Sequence, residues 1–219
     1  MIIKSFEVEK IKSTKNNLVL LYGSNQGHKN QVIKELFEEL FDGEILRLEE
    51  SEILNNYEEF VSSLLNKSLF EDSKLIVISR ASEKITKLVN EILDRNIENI
   101  KIIINSHNLD KKSKLRNIFE KEKKLTCVPF YEDNEKSLSI IAQNFFRNKS
   151  IKISQEIINL IIGRARGDRG NLMNELNKLE NLTITKKHIN IDDVFKLTNL
   201  SENYSVFELT ENYLAKNKK

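Results

Sequence analysis

Val19-Leu20-Leu21-Tyr22-Gly23-Ser24-Asn25-Gln26-Gly27-His28-Lys29-Asn30 is the stretch on which the reading of this chain turns. A short apolar run ends at a glycine, which reads as a buried strand and a turn. From about Asn25 to Phe41, Val32, Ile33, Leu36, Phe37, Leu40 and Phe41 recur at helical spacing, and Gly43 stops the helix. Strand, glycine turn and helix are the setting of a phosphate-binding loop, whose pattern is G-x-x-x-x-G-K-[ST]. Gly23 and Lys29 match that pattern, whereas His28 stands at the second glycine and Asn30 at the hydroxyl position.

Both departures have physical weight. The glycine lets backbone N–H groups approach phosphate in conformations that are costly for a residue with a Cβ. The hydroxyl ligates Mg²⁺, and Asn has none to offer. A second apolar strand should also end in a carboxylate that holds the metal. The candidates here, 75–78 and 100–104, run into Ser79-Arg80 and Asn105-Ser106. The favoured reading is a phosphate-loop fold without nucleotide hydrolysis. An ordinary strand-to-helix turn with a solvated Lys29 stays open, as does weak nucleotide binding through Lys29 and Gly27.

Outward from this stretch, apolar strands at about 45–48, 75–78, 100–104 and 125–128 alternate with helices at about 57–65, 85–93 and 112–119. Such alternation predicts a parallel α/β sheet with helices on both faces, and the strands lack the polar alternation of a half-exposed sheet. After Pro129, the only proline, the pattern is helical throughout: about 135–147, 154–165, 168–180, 187–197 and 205–215. A small all-α bundle is expected there. Asp110, Ser154 and Thr185 are the expected helix caps. The domains are read as 1–134, 135–200 and 201–219.

The 219 residues are 39% apolar and 31% charged, a globular composition, with 35 basic and 33 acidic residues. A net charge of +2 gives no case for a nucleic-acid-binding stripe, though it leaves room for a local patch. Lys111, Lys112, Lys114 and Arg116, then Lys121, Lys123 and Lys124, read as solvated surface first. Arg164, Arg166 and Arg169 cluster in the second domain. Cys127 is the only cysteine, so neither an internal disulfide nor a four-cysteine zinc site is possible, and an inert core thiol is expected. His28, His107 and His188 show no metal-ligand spacing. No metal and no cofactor are expected. The N-terminus lacks the apolar region of a signal peptide, and no apolar run is long enough to span a membrane, which fits a cytoplasmic protein.

A family resemblance rests on several stretches in order. They are Leu20-Leu21-Tyr22-Gly23; Ser68-Leu69-Phe70 followed by Leu75-Ile76-Val77-Ile78-Ser79-Arg80; Leu109-Asp110-Lys111-Lys112-Ser113-Lys114-Leu115; Gly167-Asp168-Arg169-Gly170-Asn171-Leu172 with Asn174-Glu175-Leu176-Asn177-Lys178-Leu179; Ile189 to Leu197; and Ser205-Val206-Phe207-Glu208-Leu209. In these the chain resembles the delta subunit of the bacterial DNA polymerase III clamp loader.

The resemblance implies an AAA+-like domain with a degenerate phosphate loop, a lid-like helical domain and the start of a helical collar domain. It implies a non-catalytic component of the DNA-directed DNA polymerase holoenzyme, a nucleotidyltransferase complex. The implied partners are the beta sliding clamp, the motor and delta-prime subunits, and primed DNA indirectly through the complex. The clamp contact falls on Ser68, Leu69 and Phe70, with Leu64 and Leu65 supporting their helix, and Lys67 departs from the apolar residue found in relatives. The nearest match here to the motor subunits' Ser-Arg-Cys motif is Ser79-Arg80-Ala81. Family members are longer, so the chain is expected to be truncated within the collar, keeping clamp binding and weakening assembly. The alternative function is a nucleotide-sensing or weakly ATP-hydrolysing AAA+-like regulator.

Overall fold

The computed structural model describes residues 1–65, 74–95, 100–186 and 188–197. Five strands, β1 (Leu18–Tyr22), β2 (Glu44–Glu49), β3 (Lys74–Ala81), β4 (Ile100–Ser106) and β5 (Leu125–Pro129), form one sheet in the order β2-β3-β4-β1-β5. Every pairing is parallel. β1 lies between β4 and β5, with Leu20 opposite Ile104 on one side and Cys127 on the other.

The uniform apolarity of the strands follows from burial on both faces. Alternate side chains of β1 serve different layers. Leu18, Leu20 and Tyr22 join Ile76, Ile78, Ile102 and Ile104 beneath α3 (Tyr57–Leu65), α4 (Thr86–Arg95) and α5 (Lys114–Lys121). Val19 and Leu21 join Val77, Ile103 and Val128 on the other face, covered by Ile11, Val32, Ile33 and Phe37. All five residues of β1 are buried. Burial at about 1.5–3 kcal/mol per large apolar side chain holds this strand firmly within the sheet.

The first long helix departs from its sequence reading. It is α-helical only over α1 (Gln26–Val32) and continues as a π-helix over Ile33–Glu38. Ile33 and Phe37 within it are buried in the core, whereas Leu40, just beyond it, is 62% exposed. Two further features carry little periodicity and were not expected: short 3-10 turns within Ser5–Ser13, separated by a kink at Glu7, and the short α2 (Glu50–Asn55).

Contacts divide the chain at Glu132/Asp133 into two compact units. The second unit contains α6 (Glu135–Asn148), α7 (Gln155–Ala165), α8 (Arg169–Thr185) and α9 (Ile191–Leu197). Leu138, Ala142 and Phe146, spaced four apart on α6, meet Ile158, Ile161 and Ile162 of α7 and Leu172, Leu176 and Leu179 of α8. Ser154 caps α7 by accepting the Ile157 N–H at 3.3 Å.

Two expected caps are corrected. Asp110 does not cap a helix at Lys111: α5 starts at Lys114, and Ser113 accepts the Arg116 N–H at 3.3 Å. Thr185 is the last residue of α8, and Asn190 accepts the Asp193 N–H at 2.9 Å ahead of α9. In both places a polar side chain nearer the first apolar contact wins the capping position.

Leu176 is fully buried at the centre of the helical unit. Leu176→Ala is expected to lower that unit's stability by about 2–5 kcal/mol in chemical denaturation followed by circular dichroism.

Candidate functional site: a closed phosphate loop

Ligands of open parallel sheets bind beyond the carboxyl ends of the strands, and Gly23 lies there, directly after β1. Its φ of +126° is open to glycine. A Cβ at this position would stand 2.1 Å from the Phe130 carbonyl oxygen. The backbone of the segment after β5 thus lies against the turn. Phe130 N–H donates to the Tyr22 carbonyl at 2.7 Å, Asn25 N–H to the Phe130 carbonyl at 3.2 Å, and Gly23 N–H to the His107 carbonyl at 3.1 Å.

Asn25 then starts the helix early. It is 3% exposed; its Oδ1 accepts the His28 N–H at 3.0 Å and its Nδ2 donates to the Tyr131 carbonyl at 3.1 Å. A phosphate loop precedes its helix, but here α1 begins at Gln26, inside the motif. Gly23, Ser24 and Asn25 are all that separate strand from helix. Gly27 and His28 are already helical, and the N–H groups of Gly23, Asn25 and His28 are committed to protein acceptors. The cradle that would point several N–H groups at a phosphate is not formed.

Lys29 completes the closure. Its side chain is fully buried, and its Nζ donates to the Gly23 carbonyl at 2.8 Å and to the Ser106 carbonyl at 2.5 Å. The side chain ties the ends of β1 and β4 to the first turn of α1. Burial pulls its pKa down from 10.5 to about 8, because an ammonium loses hydration there. A neutral amine still has two N–H groups, enough for both carbonyls. The remaining motif positions turn elsewhere: the His28 ring meets Phe130 edge-on at 4.8 Å, and Asn30, exposed, accepts from Gln26 Nε2 at 2.8 Å.

The neighbouring strand ends offer no metal-holding carboxylate. β3 breaks register between Ile78 and Ala81, where Arg80 adopts φ +55° and pairs with Glu49 at 3.1 Å. Glu50, 8% exposed, accepts from Ser82 N–H at 2.8 Å, Ser82 Oγ at 2.7 Å and Ile85 N–H at 3.1 Å. Its charge is spent on holding the chain that leaves β3. Among the described residues no cluster of His, Cys, Asp and Glu has metal-holding geometry. Asn105, 5% exposed at the end of β4, has no partner for its Oδ1.

Of the residues implicated in clamp binding by resemblance, Ser68, Leu69 and Phe70 lie outside the described residues. The helix leading to them is described. Val61 and Leu64 of α3 are buried, whereas Leu65, its last residue, is 41% exposed. Leu65 therefore does not prop the helix from below: one further residue rotates it about 100° off the core-facing stripe. The start of α3 is fixed to α4. Tyr57 Oη donates to Glu91 at 2.5 Å, and Lys87 Nζ lies 4.3 Å from the Tyr57 ring centre. Burial, then the Glu91 bond, lifts the Tyr57 hydroxyl to about 12.

The other singled-out residues are largely structural. Cys127 is a buried free thiol that burial pushes up to about 11. Arg116 bonds Glu120 at 2.7 Å and lies over the Tyr22 ring. Arg169 binds Asp133 through two hydrogen bonds of 2.9 Å, and Arg164 stacks 4.7 Å over Phe195. Lys111, Lys112 and Lys114 are exposed. Glu50 and the inward Lys29 escape a reading of the sequence, since neither breaks a pattern.

No family model and no curated protein matches the sequence. Among solved structures, the fold is of the AAA+ type, a five-stranded parallel sheet followed by helices. The chain is similar to the Thermotoga maritima RuvB Holliday junction branch migration motor, with a TM-score of 0.56 and 16% identity over 90% of this chain and 65% of that one. It is also similar to the Bacillus subtilis DNA clamp loader delta protein (YqeN), with a TM-score of 0.57 and 14% identity over 98% of this chain and 73% of that one.

Removing the buried Lys29 side chain leaves a cavity and two orphaned carbonyls. Lys29→Ala is expected to cost about 2–4 kcal/mol at neutral pH. The pH dependence has a definite sign. Between about 8 and 10.5 the unfolded chain holds a proton that the folded chain has released, so stability rises with pH in that window. Denaturant titrations of wild type and Lys29→Met across it should show the wild type gaining on the variant. Parallel curves would contradict the burial.

Proposed function

We propose that this chain is a clamp-loader subunit of the delta type, which grips and opens a ring-shaped sliding clamp and hydrolyses no nucleotide. The observation that carries the reading is the turn of Lys29 onto the Gly23 and Ser106 carbonyls. It closes the phosphate loop of an AAA+-type fold, leaving a scaffold that acts by protein contact. Similarity to a clamp loader delta protein over 98% of the chain supports the same assignment.

Leu69 and Phe70, after Ser68, are the proposed clamp anchor, and exposed Leu65 at the end of α3 extends its apolar surface. An aromatic and an aliphatic side chain seated in a pocket supply much of an interface's energy, roughly 1.5–3 kcal/mol each on full burial. Opening requires only that the subunit bind the open or strained ring more tightly than the closed one. No bond is made or broken. Motor and delta-prime subunits of the loader supply ATP-driven control and the indirect link to primed DNA, in the cytoplasm. Among the described residues no helix is long and apolar enough to cross a membrane.

The alternative, a nucleotide-sensing or weakly hydrolysing regulator, requires Gly27 and Lys29 to reach a phosphate. Calorimetric titration with Mg-ATP separates the two: no binding heat is expected, and a saturable one favours the regulator. The clamp reading is tested by co-elution with the sliding clamp of the same organism. Leu69→Ala with Phe70→Ala should abolish co-elution while leaving the far-UV dichroism intact. Undiminished co-elution of the double variant removes the wedge assignment.

A further inference from the structure

A partly apolar groove lies beside β2, at the edge of the sheet, and what it binds is argued independently of the clamp reading. Among the described residues no strand pairs with the outer side of β2. A groove of about 330 Å³ opens there between β2, α2 and α3. Leu48, Ile53 and Phe60 form its apolar floor, with Glu52, Glu59 and Ser63 around it. Leu48 and Phe60 pack against the main core while remaining partly exposed. The groove is therefore anchored to rigid elements.

The charge around it is one-sided. Residues 44–59 contain six glutamates and one basic residue, Arg47, in a chain whose net charge is +2. The local cations are already committed. Arg47 is held by both oxygens of Glu38, at 2.8 and 2.7 Å; Arg80 pairs with Glu49 and Lys74 with Glu44. Glu52 accepts the Glu49 N–H at 2.6 Å in a capping box and still faces solvent, while exposed Glu59 forms no ion pair among the described residues. An apolar floor with an anionic rim discriminates by charge against acidic partners and favours a cationic amphipathic one.

We propose that this groove receives a basic amphipathic segment of a partner protein. Its apolar side chain seats on Leu48, Ile53 and Phe60, and its Lys or Arg groups meet Glu52 and Glu59. A helix laid in an apolar groove meets these demands with anchors at i and i+3 or i+4 and cations beside them.

The probe is a fluorescein-labelled peptide of Leu and Lys at helical spacing, titrated into the full chain by anisotropy. Its control has the same composition scrambled to remove the apolar face. The amphipathic peptide should bind saturably and the scrambled one far more weakly. Glu52→Lys with Glu59→Lys should weaken binding roughly tenfold or more, whereas Glu156→Lys, on a helix of the other unit, should leave it unchanged. Ser63→Cys carrying a photoreactive maleimide gives a second readout, since Cys127 is buried: it should cross-link to the peptide. Equal affinity for both peptides, or insensitivity to the double reversal, overturns the proposal. So does cross-linking of Ser63→Cys only to the chain's own residues in the presence of peptide, which would mean that the groove is already filled from within.

Discussion

The bond pair from the Lys29 ammonium to the Gly23 and Ser106 carbonyls is the constraint on which the rest of this molecule's chemistry depends. A lysine at this place in an AAA+-type fold has two available directions. Outward, it meets phosphate as a cation. Inward, it satisfies carbonyls at the strand ends and loses its hydration. Here the inward arrangement is supported by every neighbour: Asn25 starts the helix early, the Phe130 backbone fills the space over Gly23, and His28 packs on the Phe130 ring. Reopening the loop would require these contacts to be given up together. Closure is thus a property of the packed turn, and one substitution to glycine at position 28 would not restore a cradle.

The sheet makes that turn rigid. β1 runs between β4 and β5 with both faces buried, so the positions of Gly23, His107 and Phe130 are set by strand register. The same register delivers the Ser106 carbonyl to Lys29. On the far side of β4, Glu50 gathers the Ser82 and Ile85 amides, and Ser106 Oγ donates to the Ala81 carbonyl at 2.6 Å. Glu50 and Ser106 thus serve the integrity of the strand ends. The proposed clamp anchor follows α3 in sequence, away from this turn.

The fold class was legible because the strands are apolar without alternation, which only a doubly covered parallel sheet explains. The failure of the phosphate motif was legible at His28 and Asn30. How it fails was not. A lysine in the first turn of a helix reads as solvated, and only the register of β1 against β4 shows that two carbonyls lie within its reach. The π-helix over Ile33–Glu38 was hidden for a related reason: its apolar residues satisfy the α-helical period well enough to mask the wider turn. Leu65 shows the limit of reading stripes at a helix end, where one residue separates core from solvent. The anchor pair Leu69-Phe70 is carried by resemblance and lies outside the described residues.

The account stands or falls on where the Lys29 amine sits, and NMR titration of the chain with lysine side chains labelled at Cε and Nζ reads that directly. The account predicts one lysine titrating near pH 8, absent in Lys29→Met and unmoved by saturating Mg-ATP. A Lys29 signal that titrates with the solvated lysines and shifts when Mg-ATP is added would contradict it.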